Sequence, residues 1–454
     1  MMWNFMSLVG KTLIKFKKIL FLLNKKTYFG FVNGHSYLTK YETAILYDLL
    51  AGNEKSNGRV TKQFENEFSK LIGNGKAVSF AAGRMAFYSL MKILEIGTGD
   101  EVILQASNCA VMVNAVLRIG AKPVFADIDI NTMGTDPNSV HKLITSKTKL
   151  IVAQHSFGIP CEIDKLVEIA NQHDVFILED CALCVGSRYK GVKLGNWGDA
   201  ALFSIDHSKP INCMIGGLLY VKNEQLYQKI YEYKNKLPYL NKKHQAALFK
   251  QLLFEKEYFN PNKYSLAKLI ELYKRILNKI IKSQIIFLTD EYNHPDSQQT
   301  ANYPYPAKLP VFISQLGLYE LQHFKTSMGK RTQLLNEYIN VFVENDQIQL
   351  LPKAYFDKRN EIIPLRLIAH LPNRYEAEKY FNKIFEINST WFLKPIIACE
   401  DPEKLEYIYG SCSNSELSSE SIINFPCTFD PKYRKKILVP LNSFLSKRIN
   451  LQLN

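Results

Sequence analysis

The sequence predicts an α/β fold: a mostly parallel central sheet covered by helices, followed by a smaller C-terminal α+β domain. Three observations predict it. Short apolar runs alternate with helix-like segments from residue 60 to 222, the pattern of parallel strands joined by crossover helices. One such run, Val175-Phe176-Ile177-Leu178-Glu179-Asp180, closes on two acids, and ligands of parallel sheets gather beyond the carboxyl ends of the strands. The character of the chain then changes at residue 232 and again at 307.

In order, Ala77 to Phe80 reads as a strand and Gly83 to Leu94 as the helix after it. Glu101 to Leu104 is the next strand, and Cys109 to Ile119 the next helix. Pro123 to Ala126 and Leu150 to Ala153 are further strands, Ile163 to His173 a helix, and the strand ending at Asp180 follows it. Ala200 to Phe203 and Gly217 to Val221 complete the strand series. Residues 232–300 are rich in Lys, Tyr, Leu and Ile and contain a helix over Ser265 to Lys282. Asp290 to Pro306 is polar and proline-containing, a loop, and Phe312 to Phe342 is largely helical. The expected organisation is a basic amphipathic segment over 1–40, a large α/β domain over 41–231, an inserted helical and loop region over 232–306, and a small α+β domain over 307–454.

The chain has 454 residues, enough for two or three domains. Its net charge of +14 favours anionic partners such as nucleotide-linked substrates or anionic lipid. Neither zinc-finger spacing nor an RNA-binding aromatic pattern is found, so no nucleic-acid partner is expected. The eight cysteines, at 109, 161, 181, 184, 213, 399, 412 and 427, form no disulfide-like framework, which fits a reducing cytoplasm. Cys181 and Cys184 make a lone C-x-x-C without a second ligand pair, and no metal is expected. Val9, Leu13, Phe16, Leu20 and Leu23 recur at helical spacing among lysines. The segment is too short in apolar residues to span a bilayer, and it reads as a helix docked on the protein or resting on a membrane surface through residues 1–26.

Chemistry concentrates in the run Phe203-Ser204-Ile205-Asp206-His207-Ser208-Lys209, shortly before Gly216-Gly217. A lysine after a serine-containing turn, with a strand-terminal carboxylate upstream at Asp180, points to pyridoxal phosphate (PLP). The amine can hold that cofactor as a Schiff base, and the carboxylate can keep its pyridine nitrogen protonated. Gly83 opens a helix after a strand, so its amide and that of Arg84 can bind a phosphate.

The surrounding landmarks carry a family resemblance. They run Gly97-Thr98-Gly99-Asp100-Glu101-Val102-Ile103, Asn114-Ala115-Val116, Gly120-Ala121-Lys122-Pro123-Val124-Phe125 and Asp127-Ile128-Asp129. His155-Ser156-Phe157-Gly158-Ile159-Pro160, Glu179-Asp180-Cys181-Ala182, Gly198-Asp199-Ala200-Ala201-Leu202-Phe203-Ser204, Lys209 and Gly216-Gly217 follow in order. Over residues 60–222 the chain resembles the DegT/StrS family of PLP-dependent sugar aminotransferases, of fold type I. Asn388-Ser389-Thr390-Trp391-Phe392 and Asn424-Phe425-Pro426 extend the likeness more faintly into the C-terminal region.

That resemblance implies PLP as cofactor, Lys209 as its anchor and proton carrier, Asp180 on the pyridine nitrogen, and Gly83, Arg84 and Ser204 on the phosphate. It implies L-glutamate as amino donor, a keto sugar, nucleotide-linked, as acceptor, an amino-sugar or surface-polysaccharide pathway, and a cytoplasmic homodimer, peripheral to the membrane if residues 1–26 touch lipid. His207, two residues before the lysine, is placed to face cofactor or substrate, and His155 matches a position near the active site or serves as a satisfied core histidine. The chain also departs from the family. Cys109 stands where an aromatic ring commonly covers the cofactor, and Leu183 where a Gln often bonds its phenolic oxygen. The Asn-x-Arg-Met segment after the glycine pair is replaced by the 232–300 stretch. Two other readings therefore stay open: a sugar dehydratase-like enzyme on the same cofactor, and a non-catalytic, membrane-peripheral binding protein on the same fold.

Overall fold

The computed structural model describes residues 34–52, 57–281, 303–384, 392–399, 401–428 and 431–452. The amphipathic segment over 8–26, most of the 290–306 loop and the Asn388-to-Trp391 motif lie outside them. Among the described residues, no helix is long and apolar enough to cross a membrane.

Two helices, α1 (Lys40–Ala51) and α2 (Asn57–Ile72), precede the sheet. Thr39 caps α1 reciprocally with Glu42, and Gly52 ends it in the left-handed conformation. The sheet and its crossover helices follow: β1 (Lys76–Phe80), α3 (Gly83–Ile93), β2 (Glu101–Gln105), α4 (Ala110–Ile119), β3 (Lys122–Ala126) and α5 (Pro137–Leu143). Then come β4 (Thr148–Gln154), α6 (Ile163–Gln172), β5 (Phe176–Asp180), β6 (Ala200–Ser204) and β7 (Gly217–Val221). The seven strands lie in the order β1-β7-β6-β5-β4-β2-β3. Only β7 runs against its neighbours; the other adjacent pairs are parallel. The sheet is buried on both faces, as a parallel sheet under crossover helices must be. The α/β class and mostly parallel sheet expected from the sequence are what the chain adopts.

The helical region after the sheet contains α7 (Glu224–Lys236), α8 (Lys242–Tyr258) and α9 (Tyr264–Ile281). Of these the sequence pattern picked out only α9. Helix α8 buries His244 and Glu255 among Leu248, Phe249 and Leu252, so its buried stripe is part polar and escapes a hydrophobic-period reading. The 34-residue helix α10 (Val311–Glu344) joins two cores. Phe312, Ile313, Leu316 and Phe324 pack into the sheet core, whereas Leu334, Leu335, Tyr338 and Phe342 pack into the C-terminal one.

That second core is built on the antiparallel pair β8 (Arg366–His370) and β9 (Ile422–Pro426), with α11 (Arg374–Phe381), α12 (Ser413–Ser421) and α13 (Lys435–Gln452). The C-terminal region grips the edge of the large sheet. Asp127 accepts from the Asn414 and Ser415 amides, both at 2.9 Å, at the start of α12. Ile396–Ile397 pairs in parallel with Asn108–Cys109. Two-residue strands are too short to leave a periodicity, so this contact was invisible in the sequence.

Candidate active site

Register sets the site. Phe80 lies opposite Gly217, Ser204 opposite Gly217, Leu202 opposite Asp180, and Asp180 opposite Gln154. The ends of β1, β6, β5 and β4 therefore form one edge, where an open α/β sheet places its ligand. Gly217 makes this edge close. A Cβ there would fall 2.3 Å from the Gly83 Cα, so any other residue would drive β7 into the first turn of α3.

Gly83 and Ser204 are neighbours across this edge: a Cβ on Gly83 would sit 3.7 Å from the Ser204 Cβ. Ala82, the cap of α3, offers no side-chain hydrogen bond to the helix's first amides. An uncapped helix start beside a serine hydroxyl and a buried guanidinium, Arg84, is a ready anion cradle. Arg84 is anchored through its carbonyl, which accepts from the Tyr305 hydroxyl at 3.2 Å.

Asp180 is 4% exposed at the end of β5, and its Oδ1 accepts from the Ala182 amide at 3.0 Å. Burial raises its carboxyl above the ordinary range, against the Ala182 hydrogen bond and the charge of Lys209. Lys209 is only partly exposed, on a turn closed by its own amide to the Asp206 carbonyl at 2.9 Å. Burial lowers its amine, Asp206, Cys109 and Asp180 pull it back up, and Arg366 pushes it down further. A lysine shifted this way is better able to act as a nucleophile or base near neutrality.

Asp206 is the residue that sequence reasoning passed over. It lies three positions before Lys209, and that spacing was the available signal. Desolvation works against its charge, but His207, Lys209 and Arg84 hold it down at about 2. His207 is half-exposed with Nδ1 2.6 Å from the Asp206 carboxylate. Desolvation opposes its protonation, and the pair with Asp206 lifts it to about 9. Arg366, buried on β8, was also missed, because a lone arginine in a C-terminal strand carries no local pattern.

Cys109 caps α4, half-buried, within the electrostatic reach of Lys209, Arg84 and Asp206; burial raises its thiol and the two cations oppose that. Leu183 is placed in an apolar cluster with Phe157, Leu365, Ile368 and Phe392. The structure thus brings Asp180, Asp206 and Cys109 within electrostatic reach of Lys209, and His207 and Arg84 within reach of Asp206, while Leu183 packs in its apolar cluster.

Next to Asp180 in β5, Glu179 points to the other face. It accepts from the amides of Gly195 (2.8 Å), Trp197 (2.6 Å) and Gly198 (2.9 Å), and it meets His155 Nε2 at 3.3 Å. His155 Nδ1 accepts from the Cys161 amide at 3.1 Å, so the ring's proton sits on Nε2, towards Glu179. Donor atoms of His155, Glu179 and Cys181 lie within 4.8 Å of one another, yet the imidazole and the carboxylate are already committed to these partners. This cluster fastens the loop after β5.

Residues 37–246 match the DegT/DnrJ/EryC1/StrS aminotransferase family. The chain is 34% identical to a GDP-perosamine synthase of Escherichia coli O157:H7 over 179 residues, 39% of this chain and 49% of the relative. It is 36% identical to the spore coat polysaccharide biosynthesis protein SpsC of Bacillus subtilis over 191 residues, 42% of this chain and 49% of that one. The chain thus spans about half the length of the curated relatives it matches. Among solved structures it resembles the protein Spr1654 of Streptococcus pneumoniae in its PMP form. The TM-score is 0.69 at 19% identity, covering 93% of this chain and all of the other, a likeness of fold.

Proposed function

We propose that the chain is a PLP-dependent sugar aminotransferase of the DegT/DnrJ/EryC1/StrS family, whose model residues 37–246 match. It passes an amino group from L-glutamate to a nucleotide-linked keto sugar. The observation that carries this reading is that Asp180 and the start of α3 share one sheet edge and that Lys209 lies within electrostatic reach of Asp180.

The residues present fit PLP. The α3 amides, Ser204 and Arg84 would take the phosphate. Arg84 and His207 together carry two positive charges against one negative on Asp206, which leaves the cradle cationic. Asp180, a buried carboxylate raised by burial, would gain a cationic partner in the pyridine nitrogen. When bound, the cofactor supplies an electron sink for the carbon that bears the amine. Lys209 Nζ, lowered by burial, would carry a proton from the donor's α-carbon to the cofactor carbon that takes up the amine, and in the second half-reaction from that carbon to the acceptor's. Cys109 would pack on the ring where relatives in the family place an aromatic side chain. The nucleotide-linked acceptor is supported by the name of the GDP-perosamine synthase relative and by the chain's cationic balance. A cytoplasmic homodimer is part of the same reading.

The test is borohydride reduction of the protein with added PLP, followed by peptide mapping and a glutamate half-reaction. The expected result is cofactor mass on the Lys209 peptide and formation of 2-oxoglutarate. Labelling of Lys209 without turnover of glutamate removes the donor; no label on Lys209 removes the reading.

A further inference from the structure

The Lys209 loop is held from beneath by residues that lie outside the sheet. The loop closes on itself through the Cys213 amide to the Ile205 carbonyl at 2.9 Å, and the Ile205 amide to the Gly216 carbonyl at 3.0 Å. Its far side is tied at Asn212, three residues after the lysine. The Asn212 amide donates to Glu320 Oε2 at 3.1 Å, and its carbonyl accepts from His35 Nε2 at 2.8 Å. One residue is thus gripped at both main-chain polar atoms by buried side chains from two distant parts of the chain. Arg331, three turns along α10 from Glu320, adds a bond from Nη2 to the Pro210 carbonyl at 3.4 Å. Pro210 directly follows Lys209.

We propose that His35 and Glu320 are positioning residues, a clamp on the Asn212 main chain that fixes the reach and proton affinity of the Lys209 amine. This rests on the reading of Lys209 as the working amine. The bond to the carbonyl requires the proton of His35 on Nε2, and burial keeps that ring neutral, down at about 4. Glu320 is lifted by burial to about 7, opposed by Tyr37, whose hydroxyl donates to Oε1, and by the Asn212 amide.

Other titratable groups face the clamp from each packed element. Glu255 on α8 lies 3.9 Å from His35 Nδ1 and is itself raised to about 7. His323 on α10 stacks on Tyr37 with centroids 4.2 Å apart. From the loop, Cys213 is raised by Glu320 as well as by burial, and His207 opposes the rise of Glu255. A hydrogen bond to an ionised acceptor is shorter and stronger than one to a neutral acceptor. The clamp therefore tightens as pH rises through about 7, the value for Glu320.

The test uses the full chain without added cofactor and has two readouts: hydrogen exchange of segment 205–214, and the pH midpoint for acylation of Lys209 by acetic anhydride. His35→Phe removes the donor and keeps a ring; Glu320→Gln keeps an acceptor and removes the charge. In His35→Phe, segment exchange is expected to rise about tenfold while β4 and β5 stay protected, and the Lys209 midpoint should shift. His35→Gln, which restores a donor, should recover part of both. In the wild type, protection corrected for intrinsic exchange should increase through neutral pH, and Glu320→Gln should abolish that dependence. Unchanged segment exchange and an unchanged Lys209 midpoint in both variants would sink the proposal. None of these readings needs turnover, so the clamp stands or falls separately from the glutamate half-reaction.

Discussion

The sheet edge and the brace beneath the Lys209 loop use the same residue types to opposite ends. At the edge, Asp206 is held at about 2 and His207 at about 9, each kept charged by the other. In the brace, His35 falls to about 4 and Glu255 and Glu320 rise to about 7, each driven towards neutrality by burial. Close opposite charge defeats desolvation at the edge; in the brace, desolvation outweighs the His207 charge at Glu255 and the Arg331 charge at Glu320. Charge is thus concentrated where an anionic ligand would enter and suppressed where the chain only has to hold its shape.

The largest effect should come from the residue that joins the two regions. Lys209→Ala removes the amine and leaves the loop's main-chain bonds in place, so aminotransfer should fall by about a thousandfold or more, with thermal stability nearly unchanged. A comparable loss of melting temperature would mean that the lysine serves packing instead of chemistry. Next is Asp180→Asn, which keeps the Ala182 hydrogen bond and removes the charge. Retention of PLP on gel filtration should weaken by about a hundredfold, the scale for losing one partner of a buried ion pair. Equal retention by wild type and variant would take Asp180 out of the site.

These two predictions concern residues that were legible in the sequence, for a physical reason. A strand-terminal acid, a helix-opening glycine and a lysine after a short turn are local features, set by neighbours within a few positions. The parallel sheet was legible because crossover helices impose an alternation that spans the whole domain. The brace was not legible. His35, Glu255 and Glu320 are spread along the chain, and nothing near any of them marks a partner. Arg366 on β8 and the 108–109 pairing with 396–397 share that fate. Asp206 differs, since it lay in plain view between Ser204 and Lys209 and was overshadowed by them.

Adjacent residues of β5 sharpen the contrast between chemistry and structure. Glu179→Gln weakens a carboxylate that serves three backbone amides and the His155 ring, so it should destabilise the fold by about 1–3 kcal/mol, the cost of degrading buried hydrogen bonds. Whatever folded protein remains should hold PLP as the wild type does, the reverse of Asp180→Asn. Urea titration together with cofactor titration separates the two, and parallel losses in both variants would erase the distinction between the two faces.

The smallest effect is a pH slope, and it tests whether burial governs the brace. The carboxyls of Glu255 and Glu320 stand at about 7 in the folded chain, above their ordinary value of 4.5. Between those values the unfolded chain has released the proton and the folded chain still holds it. Their contribution to stability is therefore complete below about 4.5 and lost as pH rises through about 7. His35 runs the other way: with its folded value depressed to about 4 from 6.5, its contribution is present above 6.5 and lost as pH falls through about 4. Glu320→Gln carries no ionisation to suppress, so the variant should gain on the wild type between pH 5 and 8, by about 1–3 °C in Tm for a chain of this length, and hold a constant offset above that. Glu255→Gln should behave alike. Wild-type and variant Tm curves that stay parallel over this range would mean that both carboxylates are ionised throughout, and that the brace is held by charge in the same way as the edge.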